Sequence, residues 1–401
     1  MTSTPPSPFL GPDSPLDARQ QEVVERVSAA EHASIVALPT DHPLDPKRRA
    51  RDEATYPELM AQPDRVRETL AANDIALDEL AELIAGTDLD RVFVTGAGDS
   101  LAVAIAARQT LEQMLGVSCE PVQSLDLAYY LAPLITGRSL VIALSSSGET
   151  TRTVEAALVA QHAGALTVAI TNTAGSTLDT ECERTLLLRA TRVGWPTQSS
   201  TTALALLIDL ALRVGQRAGR NGAPELAAEL ATVPERMESV LRAVEPQLTE
   251  IAEREQDSTA FLFSAGGPSW GAAIIGAAKV KECTPDRAEA IQVEEFHHYN
   301  SVKAGEPIWI ITPAGPSVPR AVHTASEAKR FGGRVYVITT EGVDAFTGIA
   351  DAVITVPAIP EPLSPLLTVL PVQLTGYLLA MAQFRTAEAA VDGNDREVGD
   401  V

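Results

Sequence analysis

The sequence predicts an α/β protein: two tandem doubly wound units, each a mostly parallel sheet flanked by helices, with further helices ahead of the first. Three observations lead there. Short apolar runs of strand character alternate with stretches whose apolar residues recur at helical spacing, the pattern of a parallel sheet covered on both faces. The runs also repeat along the chain. Arg91–Ser100 resembles Ala260–Ser269, with Ser100 and Ser269 169 residues apart; Ser145 and Thr312 are 167 apart, and Thr171 and Thr339 are 168 apart. Thr185–Leu188 and Val353–Val356 keep the same interval, so four matches share one offset and mark an internal duplication. Finally, a hydroxyl-rich loop, Ser145-Ser146-Ser147-Gly148-Glu149-Thr150, sits where the apolar run Ser139–Leu144 gives way to the helical pattern of Thr151–Val159.

Met1 to about Pro15 is rich in Pro and Ser and reads as disordered, and Leu16–Leu38 reads as one helix. The basic run Asp45–Arg51 reads as a solvated linker. Tyr56–Ile84 reads as two helices, with Pro63 near the start of the second. The expected division is residues 1–85 as tail and helices, 86–220 as a first, phosphate-binding unit, and 221–257 as a helical linker broken at Pro234 and Pro246. Residues 258–385 form a second unit with the candidate catalytic residues, and 386–401 a C-terminal tail.

Composition restricts the function. A formal net charge of −22 argues against nucleic acid and anionic membrane surfaces as partners. An anionic substrate must then be held by local dipoles and a few placed cations. With aromatics at 4%, the cores must come from Ala, Leu, Val and Ile. Cys119, Cys182 and Cys283 are odd in number and lack metal-ligand spacing, which suits a reducing cytoplasm. No apolar run reads as long enough to span a membrane, and the N-terminus lacks the basic-then-apolar pattern of a signal.

The chemistry-bearing residues fall in a few places. At a strand-to-helix turn, free backbone N–H groups and the positive end of the helix dipole favour anions, and hydroxyls add neutral donors. One helix cap needs one hydroxyl; the four of Ser145, Ser146, Ser147 and Thr150 read as a phosphate loop. The equivalent stretch of the second half, Thr312–Ser317, carries two prolines that remove two backbone donors, leaving one anion site per chain. Gly96-Ala97-Gly98-Asp99-Ser100 has half of a dinucleotide fingerprint but no third glycine, so Gly98 and Ser100 read as backbone approach and donor for a small ligand. Trp195–Thr202, with Ser199 and Ser200, enters a helix and either completes a sugar site or caps that helix.

Lysine is scarce, and two of five fall in Lys279-Val280-Lys281-Glu282. On a helix Lys279 and Glu282 share a face, as a proton-transfer base with its ammonium neighbour or as an exposed ion pair. The preceding Gly271–Ala278 run suits close helix packing. In Glu294-Glu295-Phe296-His297-His298, adjacent histidines point apart, which disfavours a metal and leaves an acid–base or an ordinary surface histidine.

With these residues in view, the chain from about Tyr56 to Arg385 resembles the double sugar-isomerase (SIS) domain proteins. The likeness extends to the isomerase half of glucosamine-6-phosphate synthase and to ketosamine- and galactosamine-phosphate deaminase/isomerases. The resemblance implies a phosphate held on Ser145, Ser146, Ser147 and Thr150, with Gly98, Ser100, Ser199 and Ser200 near the sugar. It implies Glu282 as the base moving a proton between C1 and C2, Lys279 fixing Glu282 or polarising nearby oxygens, and His298, sixteen residues on, opening the ring. It also implies a homodimer with shared sites, no cofactor, no metal and a cytoplasmic enzyme of aminosugar metabolism. A non-catalytic sugar-phosphate regulator, or an enzyme of specialised metabolism, would use the same residues. The chain departs from the family at Tyr299-Asn300 (where Gly-Pro is usual), at Ile275 in place of Glu, and in a tail, Glu388–Val401, without lysine. It also carries no N-terminal glutaminase unit and no Cys at position 2, so glutamine-dependent synthesis by this chain alone is not expected.

Overall fold

In a computed structural model, residues 9, 14–35, 40, 44–299 and 301–399 are described, with side chains up to residue 390 except at 35. The region read as disordered at the N-terminus lies largely outside these residues. Four helices precede the first strand: α1 (Ala18–Ile35), α2 (Pro46–Met60), α3 (Gln62–Ala72) and α4 (Asp74–Ala85). The basic run is thus not a linker but the first turns of α2. Asp45 caps that helix, its side chain accepting the Lys47 N–H at 2.8 Å, and Pro46 fits the first turn. Tyr56–Ile84 spans three helices rather than two, because the chain re-initiates after Ala61 and again after Asn73.

Two five-stranded sheets follow, every pairing parallel. The first contains β1 (Arg91–Gly96), β2 (Cys119–Gln123), β3 (Ser139–Leu144), β4 (Leu166–Thr171) and β5 (Arg184–Leu187), in the order β2-β1-β3-β4-β5. The helices in this half are α5 (Asp99–Leu115), α6 (Ser124–Tyr129), α7 (Thr151–His162), α8 (Thr177–Glu181) and α9 (Gln198–Arg217). Next come α10 (Ala223–Ala231) and α11 (Val233–Glu255). Pro246 does not break α11: both Pro246 and Arg242, whose carbonyl loses its donor, are exposed to water.

The second sheet contains β6 (Ala260–Ala265), β7 (Arg287–Gln292), β8 (Pro307–Ile311), β9 (Arg334–Thr340) and β10 (Ala352–Val356), ordered β7-β6-β8-β9-β10. Its helices are α12 (Ser269–Cys283), α13 (Val318–Arg330) and α14 (Pro365–Gly399). The two sheets have the same connectivity, so the sequence repeat is a repeat of topology. The structure adds a fifth matching pair, the edge strands β2 and β7.

One apolar cluster runs through both halves, from Val92 and Ile142 to Phe263, Trp309 and Ile338. Its seam is the crossing of α5 and α12, where a Cβ on Gly271 would lie 2.4 Å from the Ala102 carbonyl oxygen. Glycine is needed there for backbone contact, as the Gly/Ala run suggested. Two further expectations are corrected by α14. The helix continues through the region read as a tail. Residues 361–390, moreover, contain an 18-residue stretch apolar enough to cross a membrane, but 83% of that stretch is buried. A core helix surrounded by protein is apolar on all faces for the same reason a membrane helix is.

Candidate functional site

Parallel sheets bind ligands at the carboxyl ends of their strands, where the strand order reverses. In the first sheet that point lies between β1 and β3. A cavity of about 270 Å³ opens there, lined by Gly98, Asp99 and Ser100 after β1, Ser145, Ser146, Ser147 and Thr150 after β3, Arg192 and Pro196 after β5, Ser199 and Ser200 on α9, and Glu282. The backbone at Gly98 has φ +57, and a Cβ there would meet nothing within 4 Å, so the ligand space comes right up to this backbone.

The hydroxyl loop is braced from within. Ser145 and Thr150 share a hydrogen bond of 2.8 Å, and the Gly148 N–H donates to Ser145 Oγ at 3.1 Å. Gly148 has φ +69, and a Cβ on it would lie 2.0 Å from Ser176 Oγ. Glu149 turns away from the cavity and accepts the Thr177 N–H and hydroxyl, both at 2.7 Å. From α1, Glu31 accepts the N–H of Thr151 at 3.1 Å and its hydroxyl, at the start of α7. Ser146 lines the cavity with the other loop hydroxyls, and its Oγ is buried without a hydrogen-bond partner among the described residues. A buried orphan hydroxyl on a cavity wall is a donor in need of an acceptor.

Facing the loop is a charged trio that ties the halves together. Lys279 of α12 is fully buried, its Nζ 2.9 Å from Asp99 Oδ2 on α5 and in contact with Glu282. Burial alone would lower the pKa of this ammonium; the two carboxylates outweigh it and hold it above its ordinary value. Burial, and then the Asp99 charge, push the Glu282 carboxyl up, against the pull of Lys279. Ser200 donates to Asp99 at 3.0 Å. The exposed ion pair considered for Lys279 and Glu282 is therefore a buried one. Lys279 does not line the cavity; it holds Glu282, which does.

The structure does not bring His298 to this cavity within one chain. It follows the single turn Glu295–His297, 61% exposed, with its Nε2 3.6 Å from Glu294 Oε1. His297 instead packs inward, its Nε2 3.0 Å from the Thr324 hydroxyl. Two wall residues, Asp99 and Arg192, were not picked out from the sequence. Asp99 lies inside the Gly96–Ser100 motif, where a carboxylate beside an anion-binding loop carries no local signal of a functional role. Arg192 shares its loop with Arg189, and no motif there distinguishes it.

The wall that carries Arg192 is held by α2. Glu58 accepts the N–H groups of Val193 and Gly194 at 2.9 and 3.1 Å, Thr55 accepts that of Trp195 at 2.8 Å, and the Trp195 indole donates to Asp52 at 2.7 Å. Arg51 lies over the Trp195 ring, 3.8 Å from its centroid. Desolvation raises the buried Asp52 carboxyl to about 7, despite the indole hydrogen bond.

Known proteins share this fold. Residues 87–212 match the SIS domain family. Over 328 residues the chain is 28% identical to the glutamine–fructose-6-phosphate aminotransferase (isomerizing) of Pyrococcus horikoshii, covering 81% of this chain and 54% of that protein. It thus spans little more than half the length of that relative. Among solved structures, the C-terminal domain of the glucosamine-fructose-6-phosphate aminotransferase of Francisella tularensis superposes with a TM-score of 0.74 at 21% identity, over 81% of this chain and 95% of that one. The tagatose-6-phosphate ketose/aldose isomerase of Escherichia coli gives 0.67 at 19% identity, over 82% and 92%. With the SIS match in its first half and the same sheet topology repeated in its second, the chain carries a SIS domain and, over both halves, shares the fold of the isomerase half of these aminotransferases.

Proposed function

We propose that the chain is a cofactor-free phosphosugar isomerase or deaminase acting on an aminosugar or ketosamine phosphate. One observation carries the reading: the hydroxyl loop of the first half and the Glu282 carboxylate of the second face each other across one cavity. The phosphate rests on Ser145, Ser146, Ser147 and Thr150, and this remote anchor orients the reacting carbons. Glu282 takes a proton from one of C1 and C2 and returns it to the other through an enediol or enolamine, so no net oxidation occurs. Its raised pKa suits it to accept and then release a proton. Lys279 and Asp99 fix the carboxylate in place. His298 opens the ring from a second copy of the chain, since it is exposed and outside its own cavity; the active unit on this reading is a homodimer in the cytoplasm.

The test is incubation with a panel of sugar and aminosugar phosphates in deuterated water, followed by NMR. Deuterium entering C1 or C2, and lost in Glu282→Gln, supports the enzyme. Binding without exchange for every ligand points instead to a sugar-phosphate sensor, a reading that the altered residues after His298 are compatible with.

A further inference from the structure

The duplication supplies an internal comparison that separates the two halves by charge. Arg192 stands five residues beyond the end of β5, and Glu361 stands five residues beyond the end of β10, its equivalent. Arg192 lines the cavity of the first half and is exposed. Among the described residues its guanidinium makes no hydrogen bond or ion pair. The Glu58 carboxylate, whose charge acts on it, is already engaged by two backbone N–H groups.

In the second half the corresponding space is filled. Gly267 has the same φ of +57 as Gly98; Gly98 directly precedes α5, and Gly267 stands two residues before α12. A Cβ on Gly98 would meet nothing, whereas one on Gly267 would lie 3.5 Å from Glu361 Oε1. A Cβ on Gly315, in the loop after β8, would lie 2.8 Å from the Glu361 carboxyl carbon. The hydroxyl pair persists there too: Thr312 and Ser317 are 3.0 Å apart, as Ser145 and Thr150 are 2.8 Å apart. So the second half keeps the frame of an anion site and seats its own carboxylate in it.

We propose that Arg192 is the charge-bearing ligand-binding residue of the first half, closing on the phosphoryl group held by the hydroxyl loop. Glu361 is its counterpart of opposite sign and keeps anions out of the second half. The loop's donors are neutral, and the chain carries a net charge of −22. A phosphate dianion approaching that surface needs a local cation, and a planar guanidinium matches phosphate oxygens in pairs. The inference rests on the reading of the cavity as a sugar-phosphate site and assigns the residue that supplies the positive charge.

The experiment is isothermal titration of fructose 6-phosphate and glucosamine 6-phosphate into wild type, Arg192→Gln, Arg192→Lys and Arg330→Gln, at two salt concentrations. Arg330 is an exposed arginine of α13 whose loss changes net charge by the same amount. The expected result is a loss of about tenfold to a hundredfold in affinity for Arg192→Gln. Arg192→Lys should recover part of it, Arg330→Gln should match wild type, and the salt dependence should flatten only in Arg192→Gln. Thermal melts of the free proteins check folding. Equal affinity in wild type and Arg192→Gln, or an equal loss in Arg330→Gln, overturns the role of Arg192 while leaving the sugar-phosphate reading intact. Failure of wild type to bind either ligand overturns both.

Discussion

Lys279 Nζ lies 2.9 Å from Asp99 Oδ2, so one fully buried ammonium joins the first helix of one sheet to the first helix of the other. With Glu282 in the same contact, one buried cation faces two carboxylates that reach the cavity wall. Lys279→Met strands both of them. Breaking a buried pair from one side costs about 3–5 kcal/mol, and urea denaturation should show a loss of that size. The double variant with Asp99→Asn should lose less than the sum of the two single changes.

Asp52 makes stability depend on pH in a direction opposite to that of an ordinary salt-bridged carboxylate. Its folded pKa is about 7, above its unfolded value. The folded state therefore holds a proton that the unfolded state releases between about pH 4 and 7. The resulting contribution is most favourable below that interval and is lost as pH rises through 7. The full effect is on the order of 4 kcal/mol. Asp52→Asn removes it, so the melting temperature of the variant relative to wild type should be higher at pH 8 than at pH 5. Equal differences at both pH values would show that Asp52 is not the group concerned.

Ser146→Ala separates ligand binding from folding. Among the described residues the hydroxyl has no partner, so deleting it should leave the melting temperature unchanged or slightly raised. If the hydroxyl donates to a bound phosphate, sugar-phosphate affinity should fall about tenfold. Titration calorimetry alongside a thermal melt reads both.

Gly148→Ala should do the reverse and damage the fold. The new Cβ must enter a left-handed conformation and meet Ser176. Strain of about 1 kcal/mol and overpacking of about 1–3 kcal/mol add up. Hydrogen exchange should speed up at Leu178, whose N–H donates to the Gly148 carbonyl at 3.1 Å, before it does in β3.

The duplicated sheets were legible because their central strands are buried on both faces and so read as unbroken apolar runs, as in Leu140–Leu144 and Ile308–Ile311. The edge strands β2 and β7 carry no such run: Cys119–Gln123 and Arg287–Gln292 alternate with exposed polar residues and include Pro121 and Glu289. The phosphate loop could be read because its residues are contiguous. Contacts that converge from distant segments could not. Asp45-Pro46 is a local helix start, but nothing local shows that the helix it opens buries Arg48, with one guanidinium N–H on the Glu282 carbonyl, 3.3 Å away. Nor does spacing reveal that Asp99 is the second partner of Lys279, 180 residues further along the chain.

The burial of α14 also bears on how the chain comes to be folded. This helix lies C-terminal to all ten described strands, yet it packs against α11 and α12, and its residues Leu367, Leu370 and Leu374 sit in the shared apolar cluster. During synthesis both sheets emerge before the element that covers their inner helices. Until residues past 365 clear the ribosome, a broad aliphatic surface faces solvent or a chaperone. Assembly is thus completed from the C-terminal end, and a message truncated before α14 would yield an aggregating product rather than a smaller working protein.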